Sequence, residues 1–294
     1  MLATGTLRAA SILSGFFALT VPLMPVQAVL VRVAPKAARR FPHWYHRKVC
    51  RLLGITLKID GAVAPGAVLL VSNHTSWLDI PVLSAVAPLS FVAKKEVGRW
   101  PFVASLARLQ RTVFVDRTKR QAAGEVADEI TARLESGDTI VLFAEGTSSD
   151  GNRVLPFKTS LFGAVKPGAG GGVPVAAFVQ TVAVVYTHLY GIPLVRADRP
   201  RVGWYGDMEM QSHAWGVLKA GPLTATIRIG APVPLEHFND RKDLAIQSER
   251  AVRRAVLGIL RQRTGDDTLI PVEPGDDARK RKLPAATGAT EKWT

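Results

Sequence analysis

The sequence predicts an α/β fold: a mostly parallel central sheet flanked by helices, preceded by an N-terminal membrane-binding helical segment. Three observations predict it. Beyond Gly61, short apolar runs alternate with longer stretches whose apolar residues recur at helical spacing, the pattern of strands joined through helices. Ahead of that region, residues 9–31 carry no charge over 23 positions, long enough to cross a hydrocarbon core of ~30 Å as a helix. The 294-residue chain is 47% hydrophobic and 21% charged with a mean hydropathy of +0.13, which excludes a disordered or collagen-like chain.

Taken in order, the apolar segment comes first. Pro22 and Pro25 are expected to kink or break a helix, so a straight span, a re-entrant hairpin and a helix lying in the interface are all open. All three attach the chain to a membrane. Residues 1–60 hold nine basic side chains against one acid, so +8 of the net +14 lies there. The basic run over residues 32–51 follows the positive-inside bias and suits anionic headgroups, which predicts an inner-membrane protein with its body on the cytoplasmic face. A cleaved signal peptide competes, with Arg8 ahead of the run and Val26-Gln27-Ala28 as a weak cleavage site, but the apolar run continues past that site and basic residues follow. Residues 43–53 read as an amphipathic basic helix with aromatics at its start. His43 and His46 lie three apart without a carboxylate or thiolate to complete a metal site, so they are read as interfacial histidines and no metal is expected. Cys50, the single cysteine, cannot form an intrachain disulfide and agrees with a reducing compartment.

Residues 67–71 read as a buried strand, 77–86 as a helix, and 90–93 and 112–115 as short strands on either side of a helix over 101–109. Ala122, Val126, Ile130 and Leu134 recur at a spacing of four and give one helical face within residues 119–134. Gly137 and Asp138 turn the chain into a strand over 139–143. Residues 173–185 and 223–229 are further strands, and a last helix aligns Val252, Ala255, Val256 and Ile259. The expected domains are residues 1–60, a membrane-associated basic helical segment; 61–264, the α/β domain; and 265–294, a Pro, Gly and charge-rich disordered tail.

Two strand ends carry groups suited to chemistry, as expected at the carboxyl ends of strands in open α/β sheets. After residues 67–71 comes Ser72-Asn73-His74-Thr75-Ser76-Trp77-Leu78-Asp79. The Asp79 carboxylate can fold back onto one imidazole nitrogen of His74 and leave the other to accept a proton. The same residues fit a second reading, in which Ser76-x-x-Asp79 is a capping box and His74 a satisfied core histidine. The other strand end, Phe143-Ala144-Glu145-Gly146-Thr147-Ser148-Ser149-Asp150-Gly151, offers a carboxylate, glycines and hydroxyls to a polar ligand group, or is a plain strand-to-helix loop. No Gly-x-Ser-x-Gly pentapeptide occurs in it, which excludes the nucleophile elbow. Gly168–Gly172 lacks the last glycine of a dinucleotide fingerprint and reads as a flexible surface loop.

Asn73-His74-x-Ser76-x-x-Asp79, Val113-Phe114-Val115-Asp116-Arg117 and Phe143-Ala144-Glu145-Gly146-Thr147, in this order, resemble the glycerolipid acyltransferase family that includes bacterial lysophosphatidic acid acyltransferases. The resemblance covers roughly residues 45–235 and implies a cytoplasmic α/β domain on a membrane-bound helical pair, no metal and no covalent acyl-enzyme. It implies His74 and Asp79 as catalytic residues, and Glu145, Gly146, Thr147, Arg117, Arg153, Lys94 and Lys95 as substrate-binding ones. Two departures bear on the acceptor: Ala144 and Ser148 stand where the family usually has Pro and Arg, so the guanidinium thought to hold the acceptor's phosphate is missing. Residues 145–158 and 204–208 are similar to the branch that acylates lyso-ornithine lipid, a phosphate-free acceptor.

The expected reaction transfers a fatty acyl group from a thioester, carried on acyl carrier protein or coenzyme A as co-substrate with no cofactor, to a lysolipid hydroxyl that His74 deprotonates. Glu145 has two readings, an ion pair to the ornithine ammonium or a structural strand-end carboxylate. Arg117 and Arg153 are candidates for the acceptor's carboxylate or phosphate, or surface ion pairs. Lys94, Lys95 and Arg99 would attract an acidic acyl carrier protein. The alternatives are a 1-acylglycerol-3-phosphate acyltransferase, a non-catalytic membrane-surface binding protein and a membrane-anchored thioesterase. Nucleic acid is not an expected partner, because the basicity abuts a membrane segment and no recognition motif is present.

Overall fold

The computed structural model describes residues 2–115, 122–164 and 177–262. Arg117, the Gly168–Gly172 stretch and the expected tail over 265–294 lie outside the described residues.

Two helices open the chain: α1 (Leu2–Val33) and α2 (Pro35–Leu53). Pro22 and Pro25 sit inside α1 without ending it, contrary to the expected break. Its inner side is tied to the rest of the protein around both prolines. Thr20 Oγ1 meets Tyr45 OH at 2.7 Å, and buried Gln27 donates through Nε2 to the carbonyls of Ala38 and Leu109 at 3.0 and 2.9 Å. These contacts offset the hydrogen bonds that proline removes. The opposite side leaves Leu7, Phe17, Val21 and Val29 exposed, and α1 is the candidate membrane span among the described residues. α2 has Pro35 at its start and ends at Gly54, whose φ of 73° is the left-handed cap glycine allows at low cost. Arg8 donates to the Leu53 and Leu218 carbonyls, so one guanidinium from α1 caps two other helices.

The sheet follows. Strand β1 is Ile55–Asp60, β2 Val68–Ser72, β3 Ser90–Lys94, β4 Val113–Val115, β5 Thr139–Phe143, β6 Phe178–Leu189 and β8 Leu223–Ile229; the two-residue β7 (Ile192–Pro193) and β9 (Val233–Pro234) pair with β6. Their order is β1-β8-β6-β2-β5-β3-β4. β2 runs parallel to β5 and β6, and β3 to β5 and β4, whereas β8 is antiparallel to β6 and parallel to β1. β2 and β5 are buried at every position, which explains their unbroken apolar sequences. β8 alternates buried with half-buried residues, as a strand covered less completely on one side does.

Helices α1, α2, α3 (Asp79–Ser84) and α6 (Met210–Ala220) cover one face, with a core that includes Val49, Cys50, Leu78, Phe91, Phe143, Val217 and Ile227. Helices α5 (Ala122–Glu135) and α7 (Arg241–Gln262) cover the other, around Ile130, Leu134, Phe157, Phe162, Leu244 and Val252. Helix α4 (Pro101–Leu109) sits between β3 and β4 in sequence. The expected division at residue 60 shifts: Ile55–Asp60 is the edge strand of the sheet, and Ala9, Ile12 and Val49 share a core with β-strand residues, so the N-terminal helices are built into the α/β body.

Part of the basic run is structural. Arg39 of α2, Arg111 and Arg133 converge on Asp138 at 2.9, 2.7 and 2.6 Å, and that carboxylate is 4% exposed at the entry to β5. The two histidines of α2 also turn inward, because His43 Nδ1 bonds the Ser84 carbonyl and His46 Nδ1 lies 2.9 Å from both the Pro42 carbonyl and Ser84 Oγ. Desolvation pushes His46 down to about 4. They anchor the end of α3 instead of facing the interface.

Candidate active site

β2 delivers His74 to the carboxyl edge of the sheet, and Asn73 fixes its position there. The Asn73 amide donates to the Val184 carbonyl and accepts from the Val184 N–H, each at 2.9 Å, which locks the end of β2 onto β6. The chain then turns into α3, whose first residue is Asp79.

Asp79 is fully buried and saturated. Its Oδ2 accepts from His74 Nδ1 at 2.8 Å and from the backbone N–H groups of Thr75 and Ser76 at 2.7 and 3.0 Å. Oδ1 accepts from the Tyr186 hydroxyl at 2.7 Å. The capping box is only half made: Asp79 accepts from the Ser76 N–H, but the buried Ser76 hydroxyl has no hydrogen-bond partner among the described residues, so the carboxylate's role is to orient the imidazole and brace the turn. Since a carboxylate only accepts, the pairing assigns the imidazole proton to Nδ1 and leaves a lone pair on Nε2. Phe143 stacks on the His74 ring with centroids 4.0 Å apart and planes 20° apart, fixing its tilt. The ring is 18% exposed, enough for a small reacting group to reach it.

Glu145 is engaged by the main chain on both oxygens. It is 1% exposed, Oε1 accepts from the His74 N–H at 2.8 Å, and Oε2 from the Leu155 N–H at 2.9 Å. Burial raises its pKa to about 7 against the opposing pull of these two amides. The carboxylate braces the His74 loop against the loop after β5. Gly146 turns the chain there at a φ of 71°, and Thr147 is exposed next to it. Ser149 closes the arrangement through its N–H and hydroxyl, both directed to the His74 carbonyl.

Ser148 is engaged elsewhere. Its hydroxyl donates to the Trp204 carbonyl, while the Trp204 N–H donates to the Thr75 carbonyl at 2.9 Å. A turn over residues 204–208 closes through Trp204 Nε1 and the Met208 carbonyl at 2.8 Å, and the Trp204 ring meets Trp100 edge-on at 6.2 Å. Lys94 and Lys95 are exposed at the end of β3, on the carboxyl edge that also holds Glu145. Arg153 is exposed and lines a small cavity with Asn73, Thr75 and Arg199. Among the described residues no group of three or more His, Cys, Asp or Glu side chains forms a metal cluster. Sequence reasoning missed Tyr186. Its signal was present, because a tyrosine inside an otherwise apolar central strand needs a hydrogen-bond partner for its hydroxyl.

A histidine held by a buried carboxylate stands at the carboxyl edge of an α/β sheet, and the class of protein around it is an acyltransferase. The Acyltransferase family model matches residues 55–181, a range that contains His74, Asp79 and Glu145. The chain is 45% identical over 250 residues to the lyso-ornithine lipid O-acyltransferase of Brucella abortus, covering 85% of this chain and 94% of that one. It is 40% identical to the enzyme of the same name from Rhizobium meliloti, over 82% of this chain and 83% of the other. The crystal structure of the 1-acyl-sn-glycerophosphate (LPA) acyltransferase PlsC from Thermotoga maritima shares the fold with a TM-score of 0.61 at 22% identity, covering 88% of this chain and 96% of that one. The chain belongs to the acyltransferase family and is an O-acyltransferase.

Proposed function

We propose that this enzyme is a membrane-associated lyso-ornithine lipid O-acyltransferase that uses His74 as general base and a thioester as donor. The observation that carries the reading is the Asp79 carboxylate, whose four hydrogen bonds hold the imidazole in one tautomer with Nε2 directed outward. His74 Nε2 takes the proton of the acceptor's hydroxyl as that oxygen attacks the thioester carbonyl. Asp79 stabilises the imidazolium. The tetrahedral intermediate collapses with cleavage of the C–S bond, and the imidazolium returns its proton to the departing thiolate, so that an ester and a free thiol result. A positioned general base contributes about 10²–10⁴-fold.

The acceptor reading draws on the names of the relatives and on Ser148, whose hydroxyl is committed to the Trp204 carbonyl and supplies no charge for a phosphate. Arg153 is the cation we assign to the ornithine carboxylate. Lys94 and Lys95 form the landing surface for an acidic acyl carrier protein. The α1 helix anchors the enzyme in the inner membrane with the sheet on the cytoplasmic face.

The test supplies labelled acyl carrier protein thioester to membranes containing wild type or His74→Ala, with lyso-ornithine lipid or lysophosphatidic acid as acceptor, and separates the lipid products. Ester on lyso-ornithine lipid is expected from wild type and at least 10²-fold less from the variant. Product from lysophosphatidic acid alone overturns the acceptor, and equal activity in the variant overturns the base.

A further inference from the structure

A trough of about 470 Å³ lies apart from His74, between α2, β1 and the end of α3. Its two long walls differ in chemistry. One is a single stripe of α2, with His43, Arg47, Cys50 and Arg51 at helical spacing; the other is one face of β1, with Ile55, Leu57 and Ile59 alternating, closed at the end by Ala85 and Val86. Arg47 and Arg51 are exposed one helical turn apart, and neither has an ion-pair or hydrogen-bond partner among the described residues. Two like charges at this spacing repel each other, and a single anion between them relieves the repulsion. The wall opposite is apolar, with Ile59 48% exposed on the sheet's outermost strand. Cys50 forms an inert floor: it is 2% exposed, and burial pushes its thiol up to about 12.

A ligand that satisfies both walls carries one anionic group joined to a hydrocarbon chain. The trough belongs to the same helical layer as α1, whose outward side is apolar. We infer that this trough is a binding site for one anionic phospholipid, with the phosphate between Arg47 and Arg51 and an acyl chain along Leu57, Ile59 and Val86. The bound lipid is distinct from the acceptor and donor, and the site stands independently of the acyltransferase mechanism.

The full-length protein in detergent, offered phosphatidylglycerol, phosphatidylcholine of the same chains or inorganic phosphate, is read by native mass spectrometry for bound lipid. One phosphatidylglycerol per chain is expected, with neither of the other two retained. The double substitution Arg47→Gln/Arg51→Gln weakens retention about 30-fold. Leu57→Trp, which fills the trough and keeps both charges, weakens it as well. Arg40→Gln/Lys48→Gln, which removes two charges of α2 that do not line the trough, leaves it unchanged; a thermal melt of each variant confirms folding. Equal loss in that control pair would reduce the site to diffuse surface charge and overturn the inference. So would retention of phosphatidylcholine or phosphate at the same level, or undiminished binding after Leu57→Trp.

Discussion

At the scale of single residues, the site depends on two buried carboxylates held in place by hydrogen bonds. Tyr186 gives Asp79 its fourth hydrogen bond, and Tyr186→Phe leaves Oδ1 buried without a donor. The expected cost is about 1–3 kcal/mol of stability; as the backbone donors to Oδ2 remain, kcat falls about tenfold with KM of the acceptor unchanged. Steady-state kinetics and denaturant unfolding of the variant check both. Glu145 makes a pH prediction. Its pKa is about 7 in the folded protein against 4.5 when free, so the folded state keeps a proton that the unfolded chain releases in between. The stability this group contributes is complete below pH 4.5, declines as pH rises to about 7 and is flat above. Denaturant unfolding across that window should show wild type losing stability relative to Glu145→Gln as pH rises; parallel curves would contradict it. His74 and Asp79 were legible because five residues separate them across a strand end, and a carboxylate at that distance returns to the imidazole. The brace formed by Glu145 was not legible, since its partners are main-chain amides that no side-chain pattern announces.

At the scale of elements, legibility tracked periodicity. The buried strands β2 and β5 read directly as apolar runs, and α4, α5 and α7 by their spacing. β1 escaped because Ile55–Asp60 mixes three apolar residues with exposed polar ones next to a basic helix, and α6 because Met210–Ala220 shows little sidedness. The helix α1 was expected to break at its prolines, and tertiary contacts through Thr20 and Gln27 decided otherwise. The loop over residues 199–208 yields a prediction at this scale. Ser148 clasps it to the strand end by one hydroxyl. Ser148→Ala should raise the KM for the lysolipid acceptor several-fold with a smaller change in kcat, and should speed hydrogen exchange at the Trp204 amide. Unchanged exchange at Trp204 would show that the clasp does not hold the loop.

For the molecule as a whole, the junction of layers is electrostatic as well as apolar. Asp138 gathers Arg39 from α2, Arg133 from α5 and Arg111 from the turn before β4, so a single buried carboxylate joins the helical entry to the sheet. Asp138→Asn removes the charge and leaves three guanidiniums crowded around a neutral amide. A loss of about 3–5 kcal/mol is expected, measured as a fall in Tm of the detergent-solubilised protein, whereas the half-buried Asp198, paired at 3.6 Å with the exposed Arg201, changes little on the same substitution. The cap made by Arg8 has a different kind of consequence. Its guanidinium reaches a carbonyl 210 positions further along the chain, so the segment synthesised first cannot finish its contacts until about three-quarters of the protein has been made. Native closure is thus a late event of high contact order. During synthesis α1 waits with its inner polar groups unmatched, and the bilayer and the ribosome, not the rest of the fold, are its first surroundings.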